Sequence, residues 1–128
     1  MGVIERGSEN LRIRAGVIGS KMKMPLIFNE HGDVSLYWSP SEAQASIEAI
    51  DVKNNEYIAY DATGRRLVID VKGSRVRGVR LADDRTVHLG ELASTLRRYV
   101  RAREGSADVD NLPVTQLLDL IQTKRLRN

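Results

Sequence analysis

Apolar and polar positions alternate along much of the first two thirds of the chain, and the period then changes. Leu11, Ile13, Ala15 and Val17 interleave with Arg12, Arg14 and Gly16, the two-residue period of a half-buried strand. Gly19-Ser20 interrupts it, and Met22, Met24, Leu26 and Phe28 resume it with Pro25 on the opposite parity. A proline cannot donate to a ladder, so this second strand is expected at an edge or at an irregularity. Residues 29–33, Asn-Glu-His-Gly-Asp, have the composition of a turn, and Val34, Leu36 and Trp38 continue as a third strand, forming a hairpin with the second.

Ser39-Pro40-Ser41-Glu42 is a helix start: serine as N-cap, proline at the first helical position, glutamate to close a capping box. Ala43, Ile47 and Ile50 at helical spacing predict one packed face over residues 40–50. The polar stretch Asp51–Asn55 should end the helix. Glu56–Tyr60 then reads as a strand with Ile58 and Tyr60 on one face and Tyr57 and Ala59 on the other, Asp61-Ala62-Thr63-Gly64 as a hairpin loop, and Leu67, Ile69 and Val71 as the core face of the return strand. After the turn at Gly73-Ser74, Val76 disagrees in parity with Val79 and Leu81, which predicts a β-bulge at Gly78.

From Val87 the period becomes helical. Leu89, Leu92, Leu96 and Val100 form a stripe, and Arg97, Arg98, Arg101 and Arg103 gather near the C-terminal end, where cations complement the helix dipole. A polar linker over 105–111 leads to Pro113 and a last helix carrying Val114, Leu117, Leu118 and Ile121. The expected fold is α+β within one domain, residues 1–128. Its strands lie in 11–38, a helix in 40–50, a strand meander in 56–82 and helices in 88–126. A largely antiparallel sheet of about five to six strands is expected, with the short inserted helix and the two C-terminal helices on one face.

Composition supports an ordered chain: 41% of the 128 residues are hydrophobic and 29% charged. The absence of cysteine excludes a disulfide framework, a thiolate metal site and a cysteine nucleophile. Met1–Asn10 lacks the apolar run of a signal peptide, and Arg6 stands where a myristoylation motif wants serine or threonine, so the expected location is the cytoplasm. His31 and His88 have no ligand spacing around them, and no phosphate loop or nucleophile elbow is present, so neither metal, cofactor nor enzymatic activity is expected.

Charge changes the picture more than composition does. Net charge is +3, but residues 30–61 set Lys53 against Glu30, Asp33, Glu42, Glu48, Asp51, Glu56 and Asp61, while residues 62–103 carry eleven basic and four acidic side chains. The acidic block also holds Tyr37, Trp38, Tyr57 and Tyr60. Aromatic anchors ringed by carboxylates suit a basic protein partner, and Glu48, Asp51, Glu56, Tyr57 and Asp61 are the candidate partner-binding residues. Against this, Trp38, Ile58 and Tyr60 also fit a plain core role, which is favoured for Trp38. An alternative uses the arginine-rich segment 65–103 to follow a phosphate backbone, with Arg75 and Arg77 on one strand face and Arg97 and Arg101 on one helix face. No RNP strand motif, helix-turn-helix spacing or zinc finger supports it.

The stretch from Leu26 to Val71 resembles small bacterial immunity proteins of contact-dependent growth-inhibition and polymorphic toxin systems. The features that carry the likeness are the strand ending at Phe28, the Gly32 turn and the capped helix from Ser39. They continue through Ile47-Glu48-Ala49-Ile50-Asp51-Val52, Asn55-Glu56-Tyr57 and Tyr60-Asp61-Ala62-Thr63-Gly64-Arg65. The resemblance implies a non-enzymatic protein that neutralises a cognate toxin, in many systems a nuclease, by covering its active or substrate-binding surface.

Overall fold

The computed structural model describes residues 21–105 and 108–128. The strand expected over 11–17 lies outside them. The described elements are β1 (Leu26–Glu30), β2 (Asp33–Tyr37), α1 (Pro40–Ser46), α2 (Ala49–Lys53), β3 (Tyr57–Tyr60), β4 (Leu67–Lys72), β5 (Arg75–Leu81), α3 (Leu89–Glu104) and α4 (Val114–Thr123). The fold is α+β and antiparallel, but its strands form two sheets rather than one of five to six: β2-β1-β3 and the hairpin β4-β5.

β1 is the axis of the molecule, and both its faces are buried. Ile27 joins Val34, Leu36 and Tyr60 beneath Leu92, Leu96 and Tyr99 of α3 and Leu117 and Ile121 of α4. Leu26 and Phe28 face the other way, into a second cluster with Ala43 and Ile47 of the α1 segment, Ala59 of β3 and Val76 of β5. A strand covered on both sides has no polar face, which the run Leu26-Ile27-Phe28 records in sequence. The helices therefore do not share one face: α3 and α4 cover one side, while α1, α2 and the β4–β5 hairpin cover the other. Of the two expectations for the strand with Pro25, an edge or an irregularity, the edge does not hold: β1 is central, and Pro25 precedes the ladder, where its missing N–H costs nothing.

The β1–β2 connection is a two-residue loop, His31-Gly32, with φ of 53° and 95°, positive at both positions as a type I′ turn requires. The helix expected over 40–50 is broken in two. Ser39 caps α1 by accepting from the Glu42 N–H at 3.1 Å. Glu42 returns a bond to the Trp38 N–H at 2.7 Å, one residue earlier than a regular capping box. At Ile47 the backbone turns extended (φ −101°, ψ 151°), which keeps that side chain in the core while α2 restarts after Glu48. Ile50, expected on the packed face, is consequently 64% exposed.

The β4–β5 ladder shifts register between Asp70 and Val71: Asp70 pairs with Gly78 and Val71 with Val76, leaving Arg77 as the extra residue of the bulge. Between β3 and β4 only the isolated bridge Tyr60–Arg66 forms. The loop between them turns on Asp61, and its carboxylate provides the hydrogen bonds that a longer ladder would otherwise have made.

A clasp holds this hairpin to α3. Tyr60 donates its hydroxyl to Glu91 Oε1 at 2.6 Å and Arg66 Nη2 donates to the same oxygen at 2.8 Å. Burial, and then the bond to Glu91, push the Tyr60 hydroxyl up to about 12. The tyrosine and arginine bonds hold Glu91 below the ordinary carboxylate range. A carboxylate with a depressed folded pKa contributes stability that is full above its unfolded pKa and lost as pH falls through the folded one. Glu91→Gln is expected to lower the melting temperature at neutral pH. Its difference from the parent shrinks on acidification and disappears once Glu91 is protonated in the folded state. Thermal melts across pH 2–7 check this.

Candidate functional site

Two of the acidic residues singled out from sequence, Asp51 and Glu56, converge with Glu30 at one end of the three-stranded sheet, the first two for local reasons. At the end of α2, Asn55 takes a left-handed backbone (φ 57°), and the Glu56 N–H donates to the Asp51 carbonyl at 3.0 Å. This is the six-to-one bond of a Schellman turn, with asparagine in place of the usual glycine. It brings Asp51 and Glu56 together. Strand pairing then adds a third group, because Glu30 lies opposite Tyr57 in the β1–β3 ladder. Carboxylate oxygens of Glu30, Asp51 and Glu56 lie within 4.8 Å of one another, all three half-buried. Glu30 also pairs with Asp33 across the hairpin turn.

Like charges at this spacing repel, and the protein retains them. Partial burial and then Asp51 raise the Glu30 carboxyl above its ordinary value, with smaller contributions from Glu56 and Asp33. The neighbouring Tyr57 hydroxyl is pushed up to about 12 by burial, then by Glu30 and Asp51. Among the described residues, the cation found near this group is His31, whose Nε2 lies 3.6 Å from Glu56 Oε1 and is charged only when protonated. The cluster suits a guanidinium or ammonium group from outside, or a hard metal ion, since all its donors are carboxylate oxygens.

A raised carboxylate contributes its stabilising protonated form fully below the unfolded pKa, and loses it as pH rises through the folded pKa. Glu30→Gln is therefore expected to raise the melting temperature at neutral pH and to leave it unchanged in acid, where Glu30 of the parent is already neutral. Paired melts at acid and neutral pH test the sign.

The apolar anchor beside these carboxylates is not an aromatic residue. Tyr60 is buried in the core. Tyr37 and Tyr57 set their rings edge-on to Phe28, at 5.4 and 5.9 Å between centroids. Ile50 supplies the exposed surface instead. It lies one residue before Asp51 and lines an open hollow of about 610 Å³ with Ile47, Glu48, Lys53 and Val76. No periodicity would have found this anchor, because the helical stripe that includes Ile50 is the one that Ile47 interrupts.

Glu48, Asp51, Glu56 and Tyr57 thus lie in one neighbourhood, and Asp61 does not belong with them. Asp61 is 1% exposed. Its carboxylate accepts from the backbone N–H groups of Lys23 (3.1 Å), Thr63 (2.9 Å) and Arg65 (3.2 Å) and from the Thr63 hydroxyl (2.6 Å). It holds a loop together and is out of reach of a partner. Trp38, favoured for the core, is 43% exposed, and Ile58 is likewise exposed.

The arginines of the alternative face do not gather. Arg75 and Arg77 lie on β5, which packs against α1, whereas Arg97 and Arg101 lie on α3 across the sheet. Arg97 donates to the carbonyls of Val109 and Leu112 at 3.1 and 3.2 Å, and Arg101 pairs with Asp110, so both tie the α3–α4 connection to the helix. Among the described residues these four arginines form no continuous track for a phosphate backbone.

Comparison of the chain with protein-family models, with curated proteins and with solved structures finds no match. No helix among the described residues is long and apolar enough to cross a membrane.

Proposed function

We propose that this protein is a non-enzymatic, protein-binding inhibitor that neutralises a cognate bacterial toxin by covering its active or substrate-binding surface. The observation that carries the reading is the grouping of Glu30, Asp51 and Glu56, with exposed Ile50 one residue before Asp51 on α2. Three half-buried carboxylates held against their own repulsion form a receptor for a basic side chain, and docking an arginine or lysine there removes the repulsion that isolation leaves. Such a site gives orientation and fast association through charge, while Ile50 and the apolar rim of its hollow supply desolvated contact area. A toxin whose own substrate is anionic, as a nuclease's is, has a basic cleft of the matching sign. The resemblance of residues 26–71 to immunity proteins points to the same class of partner.

The test starts with the gene immediately upstream: a toxin-like domain encoded there is expected and is co-expressed with this chain, and the absence of one counts heavily against the reading. Restored growth, together with a complex that weakens as salt rises, is the expected result. Continued toxicity with both proteins folded and present in equal amount would sink the proposal.

A further inference from the structure

A larger cleft opens away from the acidic cluster, beyond the opposite end of β2, and its chemistry differs. It encloses about 730 Å³ between Trp38 and the C-terminal end of α4, within the range of small-molecule sites. Its floor is apolar, from Leu36, Ile121 and Leu126. Trp38 on one side is 43% exposed, an unusual expenditure of the largest apolar side chain. Arg125 and Arg127 also line the cleft, both exposed and neither in an ion pair with any described residue.

Arg125 carries a second mark. α4 ends in a Schellman turn: the Leu126 N–H donates to the Ile121 carbonyl at 3.0 Å and the Arg125 N–H to the Gln122 carbonyl at 3.1 Å. Arg125 therefore occupies the left-handed position, at φ 54°, which glycine fills without strain. An arginine held in this conformation, where glycine would cost less, also lines the cleft, which makes its guanidinium a candidate for use.

We infer that this cleft binds a mononucleotide bearing an exocyclic amino group, its base on Trp38 and its phosphate on Arg125 and Arg127. Three observations select this occupant. The exposed indole offers a flat face of the kind on which bases stack. Two guanidinium groups line the same cleft, neither in a salt bridge with Glu42, and guanidinium matches phosphate in charge and in hydrogen-bond geometry. Glu42 stands on the tryptophan side, where one of its oxygens already accepts from the Trp38 N–H, so the carboxylate can take a donor there and repels an anion. The ligand must then be a donor at one end and anionic at the other. An acidic peptide fits less well. It would set carboxylates against Glu42, and it could not add to the β2 edge at Leu36, whose N–H and C=O are both taken by the Asn128 side-chain amide at 2.7 and 2.6 Å.

Trp38 is the single tryptophan of the chain, so its fluorescence reports on this cleft alone. Titration with adenosine monophosphate should quench it saturably, and uridine monophosphate, which lacks the amino group, should bind more weakly. Arg125→Gly removes both cation and strain. Its melting temperature should equal or exceed the parent's, while affinity for adenosine monophosphate falls by roughly tenfold or more. Arg127→Ala should weaken binding in the same direction. Absence of saturable quenching by millimolar adenosine monophosphate would overturn the assignment. Undiminished affinity in Arg125→Gly would do so too, as would equally tight binding of tripolyphosphate or of an acidic peptide. The acidic cluster takes no part in this experiment, so the inference stands or falls independently of the proposed inhibition.

Discussion

Asp61→Ala is expected to destabilise the protein by about 3–5 kcal/mol, because it removes a buried carboxylate on which several part-buried donors converge. The carboxylate accepts three backbone N–H groups and one hydroxyl. A fully buried donor left without a partner costs about 1–3 kcal/mol and these part-buried ones sit at the low end, but alanine supplies no acceptor for any of the four. The loop that Asp61 orders also packs on the start of α3: the His88 N–H donates to the Gly64 carbonyl at 2.7 Å. A Cβ at Gly64, where φ is 91°, would approach the His88 backbone to 3.3 Å. Loss of the Asp61 anchor should therefore propagate to the α3 N-terminus and the Tyr60–Arg66–Glu91 clasp. Asp61→Asn keeps one acceptor oxygen and should cost distinctly less. Urea denaturation of the two variants checks both the size and the order. A loss under about 1 kcal/mol for the alanine variant would contradict the account.

The second large effect concerns binding. Asp51→Lys with Glu56→Lys is expected to weaken the complex with the proposed toxin by about a hundredfold or more, since reversing close charges across an interface costs several kcal/mol. The same change relieves the repulsion on Glu30, so the free protein should be at least as stable as the parent. Opposite signs for affinity and stability distinguish a recognition role from a structural one. Calorimetric titration and a thermal melt on the same preparation read both. Unchanged affinity in a folded double variant would remove the acidic cluster from the interface. A matching reversal at Asp33 and Glu42 should have a smaller effect, because neither belongs to the three-carboxylate group.

Much of the element order was legible in the residues, since caps, turns and periods are local signals. The Ser39 cap, the His31-Gly32 turn, the Arg77–Gly78 bulge and the two C-terminal helices all follow from near neighbours along the chain. What was not legible depends on residues distant in sequence. Periodicity places Pro25 inside the second strand and so asks for an edge or an irregularity there, but β1 begins one residue later, is central and is covered on both faces. In sequence Asp61 has the character of an exposed turn residue, a charge three residues before Gly64 in a hairpin loop. Nothing local announces that Lys23 will close over it. The acidic cluster itself was half visible. Asp51 and Glu56 are joined by a local turn, but Glu30 reaches them only through a strand pairing, and Ile50 is exposed because Ile47 leaves the helix.

The two-sheet arrangement has a consequence for how the molecule moves. The β4–β5 hairpin meets the three-stranded sheet through one ladder bridge, Tyr60–Arg66, and is otherwise held by side-chain packing on β1, α1 and α2 and by the Glu91 clasp. A unit attached by few backbone bonds can open while the remainder stays folded, and its amides then exchange with solvent at a lower free energy than those of β1. The hairpin is the natural first foldon to detach, and α2, which bears Asp51, rests against it. Loosening of the hairpin and the spacing of the three carboxylates are thereby coupled: whatever clamps those carboxylates from outside also quiets the hairpin beneath them.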